Sequence, residues 1–210
     1  MAAGLFITFE GIDGSGKSTQ AKLLAERLMQ AGFDVVHTRE PGGSTGAEQI
    51  RSLVLEGEPD RWSPETEILL FTAARRDHLE KTIQPALAAG KVVICDRFAD
   101  STRLYQGISR GALRGVVDQL HSLMIGREPD LTFIIDMDPA TGLARALSRQ
   151  TSEERFEGFG LEMQEKMRAG FLALAIEFAD RCVVVNGDRD MNAVAHEVKT
   201  LALARLAPLA

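Results

Sequence analysis

The residues best suited to chemistry form a glycine-rich loop near the start of the chain, GIDGSGKS. Gly11, Gly16, Lys17 and Ser18 follow the spacing G-x-x-x-x-G-K-S directly after the apolar run LFITF. Glycines let a turn point its N–H groups inward, and a following helix adds positive partial charge, so this loop is suited to phosphate groups. Lysine would contact the β- and γ-phosphates, and serine would bind Mg²⁺. The loop therefore predicts a site for a nucleoside triphosphate.

The loop alone leaves the class of protein open, because GTPase switches, ATPase motors and kinases all use it. Proteins that read guanine usually carry an N-K-x-D motif. This chain has none, and its nearest counterpart is VVNGDRD. ATP is therefore the favoured nucleotide.

Two acidic residues end apolar runs that read as strands, Asp96 in VVICDR and Asp136 in FIIDMD. In P-loop proteins an acidic strand end completes the magnesium site. Asp96 is favoured because Arg97 follows it and could hold a second phosphate. Asp136 is interpreted as an ordinary capped strand end.

Arginines are more numerous than one nucleotide requires. Seven arginines could bind a phosphate or stabilise a phosphoryl group during its transfer: Arg39, Arg51, Arg75, Arg97, Arg145, Arg149 and Arg155. Phe71 and Arg75 are four residues apart in a helical pattern and so share one face. A ring beside a donor fork suits a planar base, although Phe71 alone would equally suit the core.

The elements that must position these residues alternate along the chain. Continuous apolar runs predict buried parallel strands at 5–9, 34–38, 91–95, 131–137 and 182–185. Helical patterns lie between them at 17–31, 46–55, 63–89, 111–126, 140–149, 160–180 and 191–206. Parallel strands need crossover helices, so the order predicts a three-layer α/β fold in one domain spanning residues 1–210.

Composition excludes several classes of protein. The net charge of −6 over 210 residues gives no basic field for nucleic acid or an anionic membrane. Cys95 and Cys182 lack metal-ligand spacing and are expected to be buried thiols, and the four histidines are expected at the surface or at helix caps. With no signal peptide pattern and no stretch long enough to cross a bilayer, we expect a cytoplasmic protein.

One segment interrupts the alternation. RQTSEERFEGFG, residues 149–160, is polar, carries both charges and is punctuated by glycine. Such a segment between two helices is either a solvated loop or a lid that closes over a site. The lid is the favoured interpretation.

Several motifs together resemble the bacterial thymidylate kinase family. They are FEGIDGSGKSTQ, TREPGGS, LLFTAARRDHL, IQPALAAGKVVICDRFADST, YQG and REPDLTFIIDMDP, and they span the chain from residue 5 to about residue 174. The resemblance implies a P-loop kinase fold with parallel strand order 2-3-1-4-5 and a small lid. It implies transfer of the γ-phosphoryl group of ATP, with Mg²⁺, to dTMP, giving ADP and dTDP for dTTP synthesis. It also implies a homodimer.

The resemblance places five residues around the thymine base. Phe71 would stack on the ring, and Arg75 would donate a hydrogen bond to its exocyclic carbonyl. Ser101, Thr102 and Gln106 would lie at the edge of the base.

A further five residues would hold the sugar and the acceptor phosphate. Asp13 would bind the 3′-hydroxyl, and Tyr105 would occupy the space of a 2′-hydroxyl and so favour deoxyribose. Arg97, supported by Arg39 and Arg51, would hold the phosphate.

ATP would lie on the loop and its flanks. The implied donor-site residues are Gly11, Asp13, Gly14, Ser15, Gly16, Lys17, Ser18, Thr19 and Arg145, the last near adenine. Ser18 and Asp96 would serve the metal. Some family members place an arginine inside the loop, where this chain has Gly14 and Ser15, so catalytic charge besides that of Lys17 and Arg97 would come from Arg149 and Arg155 of the lid.

The chain departs from the family pattern in two places. The expected lid segment reads ERFE where the family usually has DR, an apolar residue and Glu. The roles of the family's lid arginine and glutamate are therefore assigned to Arg155 and Glu157. Arg103 stands where a small residue is usual, and we expect it to point into solvent rather than into the thymine pocket. Glu10 and Glu40 fall in matching segments without an assigned role.

Two other functions remain as alternatives. The first is a kinase for another nucleotide, against which the Phe71/Arg75 pair and Tyr105 argue. The second is a P-loop switch or binding module that hydrolyses ATP slowly. The number of arginines beyond the loop argues against that function.

Overall fold

The structure is a computed structural model that describes residues 4–58, 60–108, 111–148 and 160–206. Within these ranges, five strands form one parallel sheet: β1 (Phe6–Glu10), β2 (Val35–Arg39), β3 (Val92–Asp96), β4 (Leu131–Asp136) and β5 (Cys182–Asn186). Their order is β2-β3-β1-β4-β5, as predicted, and every pair is parallel.

Helices flank the sheet in the described part of the chain. They are α1 (Lys17–Gln30), α2 (Thr45–Leu55), α3 (Pro64–His78), α4 (Gln84–Ala88), α5 (Ala99–Tyr105), α6 (Arg114–Leu120), α7 (Pro139–Leu147), α8 (Leu161–Glu177) and α9 (Met191–Leu206). A π-helical segment, Leu79–Ile83, joins α3 to α4, and a second, His121–Ile125, follows α6. No helix among these residues is long and apolar enough to cross a membrane.

Side chains along the central strands point alternately to the two faces of the sheet, so the hydrophobic core lies in layers on both faces. Ile7 and Phe9 of β1 pack on one face of the sheet with α1 and α9, while Phe6 packs on the other with Phe98. Ile134 of β4 belongs to a third cluster with Phe171 of α8. Both faces of the central strands are therefore covered, and this explains their continuous apolar sequences.

The residues at the start of α3 explain where that helix begins. The Ser63 hydroxyl accepts the N–H of Thr66 ahead of α3, and Pro64 occupies the first helical position. The long helix predicted at 63–89 is confirmed as α3, the π-helical segment and α4 in succession. The helix predicted at 111–126 was too long, because regular helix begins only at Arg114.

One helix was missing from the prediction, and two of the four histidines are buried. Helix α5 was not predicted, because every one of its side chains is buried and no apolar stripe marks it. His78, the last residue of α3, and His121, the C-cap of α6, stand at helix ends but expose only 0% and 7% of their surface, whereas His37 and His196 are exposed. The two cysteines are buried free thiols, as expected.

Candidate functional site

The glycine-rich loop leaves β1 at Glu10 and enters α1 at Lys17. Gly14 has a φ of 77°, and a Cβ built there would lie 2.0 Å from the carbonyl oxygen of Gly142 in α7. A Cβ on Gly11, at φ 143°, would lie 2.6 Å from the carbonyl oxygen of Ile135. Only glycine fits both positions, so close backbone packing fixes the shape of the loop.

Lys17 turns back over the loop. Its Nζ donates to the carbonyl oxygen of Ile12 at 3.3 Å and lies 3.6 Å from Asp13 Oδ1. Burial and the nearby charge of Arg97 lower the pKa of Lys17. An incoming phosphate would add negative charge beside this buried ammonium and so oppose that lowering.

Arg97 joins the loop to the residues that follow β3. Its guanidinium donates to Asp13 Oδ1 and, at 2.7 Å, to the Ser101 hydroxyl. The Tyr105 hydroxyl donates to the other oxygen of Asp13 at 3.2 Å. Burial would raise the pKa of Asp13, but the charges of Arg97 and Lys17 outweigh it and lower that pKa.

Glu10 fastens the same segment from the sheet side and is fully buried. Its Oε1 accepts the N–H groups of Phe98 at 2.8 Å and Ser101 at 3.3 Å, and its Oε2 accepts the Ser101 hydroxyl at 2.6 Å. Burial, reinforced by the negative charge of Asp100, raises the pKa of Glu10 to about 7. Glu10 therefore positions the residues that follow Arg97.

A cavity of about 140 Å³ opens beside the loop. It is large enough to admit part of a small organic ligand. Its lining comes from the glycine-rich loop, the residues that follow β2 and β3, and helices α2, α3 and α5: Asp13, Glu40, Pro41, Arg51, Leu55, Phe71, Arg75, Arg97, Phe98, Ser101, Thr102, Tyr105 and Gln106.

The structure brings nine of the ten predicted acceptor residues to this cavity. Arg39 is the exception, because its Nη2 pairs with Glu48 Oε2 at 3.1 Å outside the lining. Arg51 reaches the cavity wall and donates to the Pro41 carbonyl oxygen at 2.5 Å. Sequence reasoning missed Pro41, Leu55 and Phe98 as lining residues.

Arg75 is held in a fixed orientation at the cavity wall. Its Nε donates to Glu40 Oε2 at 2.7 Å, and its Nη2 donates to the Thr102 hydroxyl at 3.0 Å. The guanidinium carbon lies 5.0 Å from the centre of the Phe98 ring. Phe71, one turn earlier on α3, is buried in the same wall.

The two acidic strand ends differ in what surrounds them. Asp136 is engaged by a bidentate pair with Arg168, at 2.7 and 2.8 Å. Oδ1 of Asp96 is buried and has no hydrogen-bond partner among the described residues. A hard cation accepts such an oxygen together with a hydroxyl and phosphate oxygens. Asp96, with Ser18 exposed at the start of α1, therefore fits Mg²⁺ and is the better candidate of the two.

The residues near the expected lid lie partly outside the described chain. Arg149, Arg155 and Glu157 fall on residues that the structure does not describe. Arg145 is exposed on α7, with its Nη1 3.4 Å from the sulfur of Met137. The same helix contributes Gly142, which packs against Gly14 of the loop.

The expectation for Arg103 was wrong, since only 3% of its surface is exposed. Its guanidinium pairs with Asp100 at 2.7 Å, with Asp118 at 2.8 Å and with Glu128 at 2.5 Å. The side chain points neither into solvent nor into the cavity. It anchors α5, which carries Ser101 and other lining residues, to a half-buried cluster of charges.

The parallel sheet, the phosphate-binding loop after β1 and the adjoining cavity define a P-loop nucleotide kinase fold. The family profile described as thymidylate kinase matches residues 9–198. A thymidylate kinase from Ruegeria pomeroyi is 73% identical over 203 residues, covering 97% of this chain and 96% of the relative. One from Caulobacter vibrioides is 50% identical over 207 residues, covering 98% and 99%.

A solved structure agrees with this comparison. The crystal structure of thymidylate kinase from Ehrlichia chaffeensis superimposes with a TM-score of 0.78 at 40% identity, covering 96% of this chain and 99% of that one. The chain belongs to the thymidylate kinase family.

The raised pKa of Glu10 predicts a dependence of stability on pH. The folded pKa is about 7 against an ordinary value of 4.5, so between these pH values the folded state holds a proton that the unfolded state has lost. The free energy of unfolding should therefore fall as pH rises through this window, by up to about 3 kcal/mol. Glu10→Gln cannot ionise and should remove this contribution in urea titrations from pH 4.5 to 8.

The matched control is Glu80→Gln, at an exposed glutamate paired with Arg76. It should retain the decline seen in the wild type. Parallel curves for the wild type and Glu10→Gln would contradict the assignment.

Proposed function

We propose that this protein transfers the γ-phosphoryl group of ATP to dTMP, giving ADP and dTDP. The observation that carries the proposal is the position of Arg97, which contacts Asp13 of the phosphate-binding loop while lining the adjoining cavity. One cation thus lies between a donor site and an acceptor site. A simple nucleotide switch has no need of the second site.

ATP binds along the loop from Gly11 to Thr19, with Lys17 at its terminal phosphates and Arg145 near adenine. Ser18 and Asp96 hold Mg²⁺, directly or through its water ligands. When bound, the metal neutralises charge on the β- and γ-phosphates. The buried Oδ1 of Asp96 supports this assignment.

The base of dTMP enters between α3 and α5. Phe71 stacks on thymine, and Arg75 donates to its exocyclic carbonyl, because the Glu40 pair already fixes the guanidinium plane. Thr102 and Gln106 line the edge of the base. Their common presence in the cavity wall supports these roles.

The sugar and phosphate of dTMP lie toward the loop. Asp13 accepts the 3′-hydroxyl, and Tyr105 fills the space of a 2′-hydroxyl. Arg97 and Arg51 hold the acceptor phosphate. Arg39 is left out of this set, because it pairs with Glu48 away from the cavity.

Transfer needs no covalent intermediate with the protein. An oxygen of the dTMP phosphate forms a bond to the γ-phosphorus as the bond to the β,γ-bridging oxygen breaks, and that oxygen leaves with ADP. Lys17 and Arg97 stabilise the charge on the transferring group. Arg149 and Arg155 add charge from segment 149–160, which acts as the lid and excludes water.

A homodimer in the cytoplasm completes the proposal. Leu69 on α3 and Leu123 and Met124 in the π-helical segment after α6 are exposed, at 58%, 76% and 49%. Arg76 Nη1 donates to the Met124 carbonyl oxygen at 2.7 Å, so the two elements adjoin. A second copy of the chain would cover this apolar surface, and a sedimentation mass of one chain would contradict that.

The proposed activity predicts a selective acceptor response. Purified protein with Mg·ATP should release ADP rapidly with dTMP, and far more slowly with UMP, CMP, AMP or GMP. The dUMP rate measures how strongly the pocket reads the methyl group. ADP release with a different acceptor would support a kinase that acts on another nucleotide. ADP release that no monophosphate stimulates would instead favour a nucleotide-dependent switch.

Removal of the stacking ring should weaken dTMP binding specifically. Phe71→Ala is expected to raise the KM for dTMP by about tenfold or more, because stacking an aromatic ring on a base contributes roughly 1–3 kcal/mol. The KM for ATP should not change. Steady-state kinetics with each substrate varied in turn provide the measurement.

Thr72→Ala is the matched control, since Thr72 neighbours Phe71 on α3 but does not line the cavity. It should leave both KM values unchanged. An unaltered dTMP KM in Phe71→Ala would return Phe71 to a purely structural role.

A further inference from the structure

We infer that His78 is a positioning residue for base recognition, acting on Arg75 through Glu40. This inference rests on the proposed function, because it concerns how Arg75 discriminates the base. His78 lies at the end of α3 and does not line the cavity. Its effect on the substrate must therefore pass through other residues.

A chain of buried hydrogen bonds connects β2 with α5 through this histidine. His78 Nε2 lies 2.8 Å from the Thr38 hydroxyl, and His78 Nδ1 lies 3.0 Å from Glu40 Oε1. The second oxygen of Glu40 accepts from Arg75, which in turn donates to Thr102. His78, Glu40 and Arg75 each expose 5% of their surface or less.

The chemistry of the side chains fixes which atom donates in each of these hydrogen bonds. The Glu40 carboxylate can only accept, so Nδ1 of His78 must be the donor. In the neutral ring Nε2 then accepts from the Thr38 hydroxyl. The histidine thus occupies Oε1 of Glu40 and leaves Oε2 for Arg75. Without it the buried carboxylate could rotate and draw the guanidinium out of its plane.

That plane matters because of the donors that remain on Arg75. Nε and one N–H of Nη2 are used by Glu40 and Thr102, while Nη1 makes no hydrogen bond to the described residues. Arg75 lines the cavity, so Nη1 offers unused N–H donors to a ligand there. A guanidinium group that two hydrogen bonds already hold in place can present those donors to a carbonyl oxygen with little loss of side-chain entropy.

The surrounding backbone holds His78 tightly. A Cβ on Gly43 would lie 2.3 Å from His78 Nε2 and 2.4 Å from the Thr38 hydroxyl oxygen, so the ring fills the space beside a glycine. The Thr82 hydroxyl donates to the Gly43 carbonyl oxygen at 2.7 Å and secures that loop to the π-helical segment. The imidazole therefore has a single defined position.

The test compares two acceptors that differ at one edge of the base. 5-Methyl-dCMP has the sugar, phosphate and methyl group of dTMP, but an amino group replaces the carbonyl at C4 and N3 accepts a hydrogen bond instead of donating one. The ratio of kcat/KM for dTMP to that for 5-methyl-dCMP reports the orientation of Arg75. A general loss of structure would lower both values together and leave the ratio unchanged.

His78→Leu should lower this ratio by about tenfold, as expected for loss of a hydrogen bond from a charged donor. Thr38→Val removes only the outer bond and should lower the ratio by a smaller factor. Thr8→Val is the matched control, because its hydroxyl makes a side-chain hydrogen bond of the same length, 2.8 Å, to Thr132, and that bond has no part in the series from Thr38 to Thr102. It should leave the ratio at the wild-type value.

If both His78→Leu and Thr38→Val retain the wild-type ratio while the wild type prefers dTMP, the positioning role is wrong and the proposed function stands. If the wild type itself does not distinguish the two acceptors, the role of Arg75 fails, and the positioning role of His78 fails with it. If His78→Leu does not fold, the ratio in Thr38→Val alone decides between the outcomes.

Discussion

The site depends on a single arginine held in an unfavourable backbone conformation. Arg97 has a φ of 68°, the only positive value among the described residues other than glycine. Such a conformation costs about 1–3 kcal/mol and persists only where the surroundings enforce it. Here its N–H donates to the Phe9 carbonyl oxygen at 2.9 Å, and the Cys95 thiol lies 3.0 Å from its carbonyl oxygen. In this conformation the guanidinium donates to the Gly11 carbonyl oxygen and to Asp13 of the phosphate-binding loop.

The strand order explains why this geometry is available. β1 pairs with β3, and Phe9 is in register with Asp96, so the loop after β1 meets the residues after β3 at one edge of the sheet. Glu10 fastens the start of α5 there, and the cluster of charges around Arg103 anchors its middle. At the far end of the cavity, the chain of hydrogen bonds from His78 fixes Arg75. The two ends of the cavity, which the proposed function assigns to the phosphate and the base, are thus set by separate polar networks.

The sequence was most informative where chemistry requires fixed spacing or full burial. The glycine-rich loop and the apolar strands could be predicted because backbone approach and two-sided burial leave few alternatives. Helix α5 could not, because its buried polar residues serve the site and the charge cluster rather than an apolar face. Arg103 was misplaced because its partners Asp118 and Glu128 are brought together only by the fold. His78 did carry a signal, since Phe71, Arg75 and His78 recur at helical spacing on one face of α3.

The most direct test of the central role of Arg97 is a calorimetric titration of dTMP into Arg97→Ala, with Arg76→Ala as a control for an exposed arginine. The affinity for dTMP is expected to fall by about tenfold or more, as for loss of charge-assisted hydrogen bonds. The affinity for a non-hydrolysable ATP analogue should change much less, and Arg76→Ala should match the wild type. An unchanged dTMP affinity in Arg97→Ala would contradict the account, because the acceptor site would then not depend on the residue that joins it to the donor site.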